Sequence, residues 1–454
     1  MSRNTTVLAF LLTAATIRQV HAQAASPPAS EILTVTLNDA LARAQKYAMQ
    51  IQSADIVAQL AHEDKTQARA AALPSVNALN QFIYTEGNGT PSGVFVANDG
   101  VHVYNEQAVV HEELLSFIRR GEVRMAAAAE AVARARVDVA ARGLKATVVG
   151  NYYAVAVARR RVSNAERGLA EAQQFLVITQ KQEQGGEAAH SDVIKAQLQI
   201  AQRQRDVQDS QLAVQKAKIA LAVLIFPKLE LDYEVVDDLS QIAALPPLAE
   251  AAGQATAGNP DLRATEGALK QARLGLSVAR YAYLPSLSLD FFYGINANQL
   301  AARTDYPTQA TGRSTLPNYL VPFRQNLGYS AQATLTVPVW NWGSIRSKVK
   351  QASLRQRQAE LDLTTTQKQV QADIASSYRE AQTALSQVDS LRSSSELAAE
   401  SLRLTVLRYK AGEATTLEVV DAQTTVSSAR SAYNDGLLRY RVALASLQIL
   451  TGTF

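Results

Sequence analysis

The stretch that decides the fold is SIRSKVKQASLRQRQAELDLTTTQKQVQADIASSYREAQTALSQVDSLRSSSELAAESLRLTVLRYKA, which runs from Ser344 to Ala411. It contains no glycine and no proline, and most of its residues are good helix formers. Leucines and valines recur in it at helical spacing. One helix of this length would extend roughly 100 Å, more than an ordinary globular domain can enclose. The stretch therefore predicts an exposed helical rod.

A second helix is predicted to run back along this rod. Gly412 interrupts the helical pattern, and Thr415 and Thr416 are residues that can cap a new helix. The apolar faces of both segments are narrow and rich in alanine, which favours close packing of one helix on another. The sequence thus predicts a long helical hairpin.

The sequence contains two copies of one pattern. Leu73-Pro74-Ser75-Val76 recurs as Leu284-Pro285-Ser286-Leu287, and Asp192-Val193-Ile194-Lys195-Ala196-Gln197 recurs as Glu418-Val419-Val420-Asp421-Ala422-Gln423. The second copy is longer between its Leu-Pro-Ser motif and the next tyrosine, so that segment behaves like a surface loop. The long stretch that follows keeps its length in both copies. Repetition of this kind predicts two copies of one structural unit.

The first copy carries the rod and its turn in a weaker form. Gly185-Gly186 is predicted to make the turn, but Gly143, Gly150 and Gly168 are expected to interrupt the helix before it. At the N-terminus, a positive charge, a short apolar core and small residues near Ala22 indicate a cleaved secretory signal. The predicted divisions are a signal peptide (1–24), a first structural repeat (31–230), a connector (231–258) and a second structural repeat (259–454).

Strands are predicted beside the rods. From Ser286 to Ile295, and again from Tyr329 to Val339, apolar and polar residues alternate with a period of two. About ten residues is the length of a strand that crosses a bilayer. The matching strands of the first copy are poorer, because Asn80 interrupts the apolar face of the first and Glu106 and Glu112 stand where apolar residues are expected in the second. Pro338 is expected to end the last strand of the second copy.

Four such strands cannot close a barrel by themselves. A strand with an open edge in hydrocarbon leaves backbone groups unpaired, at several kcal/mol each. Bacterial barrels have about eight strands or more. Copies of this chain are therefore expected to pool their strands. Strand count alone allows a dimer or a larger ring.

Composition excludes several classes of function. Five histidines and no cysteine leave little for metal or nucleophilic chemistry, and a net charge of +4 does not suggest a nucleic-acid partner. We find no catalytic triad, no phosphate-binding loop and no carboxylate pair in a pocket. No catalytic residue, metal site or cofactor is therefore predicted, and the chain is not expected to be an enzyme.

Four motifs, taken in order, resemble the outer-membrane efflux protein family, of which TolC is the type member. They are Leu37-Asn38-Asp39-Ala40-Leu41, Asn259-Pro260-Asp261-Leu262-Arg263-Ala264, Leu284-Pro285-Ser286-Leu287 and Val337-Pro338-Val339-Trp340-Asn341-Trp342-Gly343. The resemblance covers about residues 31–454. It implies a mainly α fold with membrane β: duplicated long helical hairpins form a periplasmic tunnel, and four transmembrane strands per chain complete a trimeric twelve-stranded barrel.

The resemblance also implies a function and partners. The homotrimer would be an exit duct for efflux or type I secretion, in contact with outer-membrane lipid and extending from a Gram-negative outer membrane into the periplasm. A periplasmic adaptor and an inner-membrane pump or ABC transporter would open this passive conduit. The adaptor would meet the hairpin tips, which fall at Gly185, Gly186, Glu187, Ala411, Gly412 and Glu413.

A gate is implied at the same end. The family motif matches Gly412 through Ala422, with Glu418 and Asp421 at its two acidic positions and Asp192 as the counterpart in the first hairpin. Glu418 and Asp421 lie three residues apart, so they share one helix face. In a trimer they would place six carboxylates around a narrow pore and raise the local cation concentration. The alternative is an ordinary solvated helix face.

The resemblance further assigns Tyr409 to a latch that holds the pore closed. The arginine that completes the latch in the family would fall at Ala414, so that salt link is missing. Lys195, at the first-copy position that matches Asp421, can pair with an acid instead.

Two other classes remain as alternatives. A periplasmic adaptor also uses a long hairpin, but it is expected to carry one hairpin rather than two copies with amphipathic strands. A secreted coiled-coil structural protein predicts no membrane-facing strands. The alternating stretch from Leu287 to Ile295 counts against both classes.

Overall fold

The computed structural model describes residues 33–84, 102–297 and 327–454. The predicted signal peptide and the predicted insertion-tolerant loops lie outside these residues. In chain order the elements are β1 (Leu33–Val35), α1 (Leu37–Tyr47), α2 (Met49–Ala70), β2 (Ser75–Tyr84), β3 (His102–Leu115), α3 (Phe117–Gln184), α4 (His190–Ile225), β4 (Tyr233–Val235), α5 (Leu248–Gly258), α6 (Pro260–Tyr281), β5 (Ser286–Ala297), β6 (Leu327–Thr336), α7 (Ser344–Lys410) and α8 (Thr416–Thr451).

The element order is duplicated in full. The helices α1 and α5 each have 11 residues, α2 and α6 each have 22, and α4 and α8 each have 36. The predicted connector, 231–258, holds β4 and α5, which have the lengths of β1 and α1. The second copy therefore also has a short strand and a short helix ahead of its 22-residue helix, and the division of the chain at 231–258 stays a prediction.

The two long rods are continuous helices. The rod α7 has 67 residues, as its uninterrupted sequence predicts, and α3 has 68. The prediction that glycines interrupt α3 is wrong. An interior glycine costs a helix only about 1 kcal/mol relative to alanine, and α3 packs along α4 and α6 for much of its length. Tertiary packing therefore outweighs the local preference.

A compact core lies midway along the rods. The strands β1 and β4 pair in parallel, with Val35 opposite Val235, and so join the two copies. The buried hydroxyl of Tyr152 on α3 donates to the carbonyl of Val236 at 2.8 Å. Tyr440 on α8 packs in the same apolar cluster. Helices from both copies are thus fixed to one small sheet.

The other sheet has four antiparallel strands in the order β2-β3-β5-β6. The helices attached to these strands follow the same order, because α2 packs on α3, α3 on α6 and α6 on α7. Four strands therefore continue into four helices. Cross-strand partners place Phe291, Tyr293, Tyr329 and Leu335 on one face, and all four side chains are exposed.

The opposite face of this sheet is polar. His111 on β3 and Asp290 on β5 lie directly across from each other, with Nδ1 and Oδ1 2.6 Å apart. Glu106 and Glu112 pair with Ile295 and Leu289, so they lie on the apolar face, as their sequence positions predict.

The ends of β3 and β6 are not set by the alternation of apolar and polar residues alone. Despite its two glutamates, β3 continues through Glu112-Glu113 to Leu115, with an irregularity between Glu112 and Leu115. Pairing with β5 keeps this segment in the sheet. The last strand ends at Thr336, just before Val337-Pro338, because proline cannot donate to the ladder.

Helix α2 buries none of its residues and is joined to α3 by an ionic cluster. The Glu130 carboxylate, only 5% exposed, accepts from Lys65 at 2.6 Å and lies 3.0 Å from His62 Nδ1. Arg134 reaches the same carboxylate from α3 at 2.5 Å. The hydrogen bond from Lys65, followed in size of effect by the one with His62, lowers the pKa of the Glu130 carboxyl to about 2. Among the described residues, no helix combines the length and apolarity needed to cross a membrane.

We expect Gly294→Ala to weaken the sheet by roughly 1–3 kcal/mol. Gly294 has φ +155°, and a methyl group there would meet the Glu106 carbonyl at 2.1 Å. A methyl group on its cross-strand partner Gly328 would have no neighbouring atom within 4 Å, so Gly328→Ala is a matched control. Thermal unfolding in detergent measures the difference. Equal midpoints for the two variants would show that the strands separate there without strain.

We expect Glu130→Gln to loosen α2, and the effect to depend on pH. A carboxyl whose pKa is lowered in the folded state stabilises it fully above the ordinary value of about 4.5, and loses this effect as pH falls toward 2. The difference in unfolding midpoint between the natural chain and the variant should therefore be largest near pH 7 and shrink below pH 4. A difference that stays constant with pH would contradict this assignment.

Candidate functional site: the hairpin tips

The two hairpin tips are built from the same turn. In each, a glycine with positive φ follows the rod, Gly186 at +77° and Gly412 at +76°. Glu187 N donates to the Gln182 carbonyl at 2.7 Å, and Glu413 N donates to the Arg408 carbonyl at 2.9 Å. Both turns are Schellman motifs, which satisfy the last carbonyls of the rod. The residues predicted to meet an adaptor all lie at these turns: Gly185, Gly186, Glu187, Ala411, Gly412 and Glu413.

Helix α8 starts with a strong cap. Thr415 Oγ1 accepts from Glu418 N at 3.3 Å, while the Glu418 carboxylate accepts from Thr415 N at 3.1 Å. Arg408 lies 3.5 Å from the same carboxylate. The hydrogen bonds from the Thr415 backbone and hydroxyl, with a smaller contribution from Arg408, lower the pKa of Glu418. Glu418 is thus ionised and already bound within its own hairpin.

Helix α4 starts without such a cap. Its capping position is Ala189, which has no side-chain oxygen, and Asp192 stands where α8 has Glu418. Lys195 donates to Asp192 at 3.1 Å, as the sequence suggested for this lysine. His190 and Glu183 lie 2.6 Å apart across the turn. The first tip is therefore held by side-chain pairs rather than by a capping box.

Asp421 is the predicted gate residue with a free carboxylate. It lies one turn beyond Glu418 and is exposed. The structure shows no hydrogen bond or ion pair from its carboxylate to another described residue. Within one chain, Glu418 contacts Arg408, Asp192 contacts Lys195, and neither contacts Asp421. Only neighbouring copies can gather these acids into a ring, so the ring stays a prediction.

Tyr409 lies at the centre of a buried hydrogen-bond chain. The Thr416 hydroxyl donates to Tyr409 at 3.3 Å, and the Tyr409 hydroxyl donates to Thr179 at 3.4 Å. Thr179 donates in turn to the Phe175 carbonyl at 3.0 Å. Gln182 also donates to the Tyr409 carbonyl at 2.9 Å. Tyr409 therefore joins the end of α7 to the start of α8 and to α3.

This arrangement shows what stands in place of the missing salt link. Ala414 packs against an apolar cluster to which all four tip helices contribute. The members of that cluster are Phe175, Ala196, Ala398, Leu402, Tyr409, Val419 and Val426. Neutral hydrogen bonds and apolar packing, rather than an ion pair at position 414, hold the two hairpins together here.

Further polar contacts bridge the hairpins below the tip, two of them close to it. Arg430 on α8 lies 3.1 Å from Glu171 on α3. The largely buried Arg203 on α4 donates to Thr424 on α8 at 3.4 Å. Both contacts join a helix of the first structural repeat to α8 of the second, so they resist separation of one hairpin from the other. Spacing in the sequence gives no sign of them.

Sequence reasoning also missed Gln423. Its side chain is buried, its Oε1 has no partner, and it lines a groove of about 350 Å³ beside Phe175, Lys410 and Arg430. The first-copy counterpart, Gln197, is exposed. The repeat alignment equated the two glutamines, and only packing distinguishes them.

No group of three or more metal-ligating side chains is found among residues 33–84, 102–297 and 327–454. The tip contains several carboxylates, two glycine turns and a hydrogen-bond network that joins the two hairpins. Such features suit a surface for docking and for separating the hairpins.

Comparisons with known proteins identify similar sequences and structures. Residues 251–453 match the family described as outer membrane efflux protein. A curated relative, the pyoverdine export outer membrane protein OpmQ of Pseudomonas putida, is 25% identical over 311 residues, which are 66% of this chain and 59% of that protein. The chain therefore aligns with about three fifths of the length of this relative.

Solved structures share the fold over most of the chain. The outer-membrane channel OprN superposes with a TM-score of 0.77 at 18% identity, covering 92% of this chain and 89% of OprN. The open state of the MtrE outer membrane channel of Neisseria gonorrhoeae gives 0.73 at 21% identity, with 92% and 88% covered. These proteins are named as channels and exporters, not as enzymes.

The predicted resemblance to the outer-membrane efflux protein family is confirmed by these comparisons. The predicted location, the outer membrane of a Gram-negative cell with an extension into the periplasm, is confirmed as well. The predicted mainly helical fold is confirmed at the level of one chain. The domain division and the roles of the tip residues stay predictions.

We expect Tyr409→Phe to loosen the contact between the hairpins by about 1 kcal/mol, because the Thr416 hydroxyl loses its buried acceptor. Hydrogen exchange should then accelerate in the first turns of α8 and the last turn of α3. Tyr378→Phe is the control, since this half-buried tyrosine on α7 makes no hydrogen bond to a described residue. Unchanged exchange in Tyr409→Phe would remove the hydroxyl from the contact.

Proposed function

Because its second half matches the outer membrane efflux protein family and its fold is that of solved outer-membrane channels, we propose that this chain is one subunit of an efflux or secretion duct. Three copies form the duct. It is a passive conduit, which an inner-membrane pump or ABC transporter and a periplasmic adaptor open. The chain supplies the wall and the gate, and its partners supply the energy.

The observation that carries this proposal is the four-stranded sheet. Strands β2 and β6 each pair on one side only, and the apolar face carries exposed aromatic side chains such as Tyr293 and Tyr329. In lipid, the open edges must be paired, and this requires further strands. Pairing β6 of one copy with β2 of the next supplies them. Three copies give twelve strands, which is within the range of bacterial barrels.

The rods support the same assembly. Helix α4 carries Leu198, Leu212 and Ile219, spaced in multiples of seven residues, and all three are exposed. This spacing is that of a coiled-coil seam, which buries its leucines against a partner helix. Within one chain the seam has no cover. A neighbouring copy covers it when the four-helix layers join around a common axis.

The tips then meet at the far end of the tunnel. In this assembly, three copies bring Asp421, Glu418 and Asp192 around the axis, and Asp421 carries the free charge. Confined like charges attract cations and repel anions. The turns at Gly186 and Gly412 face the partners, and the Tyr409 chain of hydrogen bonds holds the hairpins closed until the adaptor docks.

The alternative classes have less support. An adaptor or a secreted coiled-coil protein does not account for a sheet with an exposed apolar face and two open edges. Neither accounts for duplication of every described element. The shared fold with outer-membrane channels agrees with the duct.

The first test is single-channel recording from the purified full-length chain in a planar bilayer, together with its mass in detergent. We expect a complex of three chains that gives small, steady, cation-preferring steps. A monomer that does not insert would overturn the proposal. A trimer that inserts and stays silent should conduct once Tyr409→Phe and Arg430→Gln loosen the hairpins, and continued silence would also count against it.

We expect Asp421→Asn to lower the cation preference by up to roughly tenfold, because the ring loses its free charges. Glu418→Gln should change it less, since Arg408 already offsets this carboxylate. Asp209→Asn is the control: Asp209 is also exposed and unpaired in the described chain, but it lies about 25 Å along α4 from Asp192. Equal effects of Asp421→Asn and Asp209→Asn would place the constriction elsewhere.

A further inference from the structure

The only two tryptophans of the chain lie side by side. Trp340 and Trp342 follow β6 and precede α7, and their ring centroids are 5.7 Å apart with the edge of one ring toward the other. Trp340 is 76% exposed and Trp342 is 90% exposed. We call them the tryptophan pair. Two large apolar rings in open solvent are unusual unless something else covers them.

The tryptophan pair continues an exposed apolar surface. Leu335 ends the apolar face of β6, and Val337 and Val339 follow it; all three are exposed. Trp342 also has φ +52°, a conformation that a bulky residue seldom adopts. The surface therefore runs without a break from the sheet to the start of α7.

The next residues along the chain are cationic. Arg346, Lys348, Lys350 and Arg355 are exposed, and none makes an ion pair with a described residue. We call these four residues the cationic collar. No acidic residue occurs from Ser344 to Ala359. The collar starts just below the tryptophan pair and extends about 15 Å down α7.

The first copy carries fewer unpaired cations at the corresponding place, Arg120 and Arg124 at the start of α3. At the start of α3, Arg119 lies 3.5 Å from Glu113 and 3.4 Å from Glu122, so the chain neutralises it internally. Neighbouring cations on one helix repel each other unless counter-charges are present. The collar lacks such counter-charges within its own chain, which indicates an anionic partner outside it.

An apolar face, then aromatic rings, then cations is the order of environments across a membrane surface. Indole rings favour the headgroup level of a bilayer, and clustered Lys and Arg beside a membrane segment bind anionic lipid. A soluble anion would satisfy the collar but would leave the tryptophan pair exposed. An anionic phospholipid covers both.

We propose that the tryptophan pair and the cationic collar form a binding surface for anionic phospholipids of the leaflet that faces the rods. This inference rests on the proposed function, because it requires the sheet to lie in the outer membrane. The rings lie among the glycerol groups, and the collar binds the phosphates. The surface fixes how deep the sheet sits, and it selects the lipid around the duct.

The test uses the tryptophans as their own probes. The full-length chain is reconstituted in mixed phosphatidylcholine and phosphatidylglycerol bilayers, in which one lipid at a time carries bromine, a short-range quencher of indole fluorescence. We expect stronger quenching by brominated phosphatidylglycerol than by brominated phosphatidylcholine at the same mole fraction. Bromine near the glycerol should quench more than bromine near the chain ends.

Matched variants separate the collar from general charge. Arg346→Gln/Lys350→Gln removes one arginine and one lysine beside the rings. Each lost cation should lower the enrichment of phosphatidylglycerol around the tryptophan pair about fivefold. Lys368→Gln/Arg379→Gln removes the same two residue types from exposed, unpaired positions about 30 Å or more along α7 from Lys348, and should leave the enrichment unchanged.

The outcomes distinguish this inference from the proposed duct. Equal quenching by the two lipids, enrichment that survives Arg346→Gln/Lys350→Gln, or no quenching of a chain that still conducts would overturn the lipid surface and leave the duct standing. A chain that neither conducts nor is quenched would overturn both. The lipid surface is supported if the preference for brominated phosphatidylglycerol is lost in Arg346→Gln/Lys350→Gln and kept in Lys368→Gln/Arg379→Gln.

Discussion

Backbone hydrogen bonding at the two outer strands of the sheet constrains everything else in this protein. Strands β2 and β6 have their inner sides paired and their outer sides open, and a hydrocarbon environment offers those open groups no partner. In the proposed duct, strands of neighbouring chains meet this requirement and close a ring. Each strand of the sheet continues into one helix, so in that assembly the sheet also sets the arrangement of the helices in the tunnel wall.

The extent to which sequence predicts this structure differs from element to element. The rod from Ser344 and the strand from Ser286 follow from local patterns, because composition and periodicity there agree with the fold. Strands β2 and β3 could be recognised only through the repeat, since Asn80 breaks the alternation in β2 and Glu106 and Glu112 break it in β3. The continuity of α3 through its glycines depends on packing along α4 and α6, which no local pattern contains.

The limit of prediction from local sequence patterns is clearer at the hairpin tips. The turns and the cap at Thr415 could be read from glycine and threonine positions, because these effects act within a few residues. The contacts that join the hairpins could not, because Arg430 and Glu171 are 259 residues apart in the chain. The family motif marks Glu418 and Asp421 as equivalent acids, whereas the structure gives them different surroundings. Glu418 is bound by its own hairpin, whereas the Asp421 carboxylate has no partner among the described residues.

The continuity of α3 and α7 has a mechanical consequence. Neither rod contains a proline or a break between the core at the middle of the chain and the tip. From Tyr152 to the end of α3 the rod extends about 48 Å. A rod without a hinge moves as a lever, so a tilt of about 5° at the core displaces the tip by about 4 Å. Small rotations at the core between the two structural repeats therefore become large displacements of the hairpin tips, and the resistance to them is set where the helices pack together at the core.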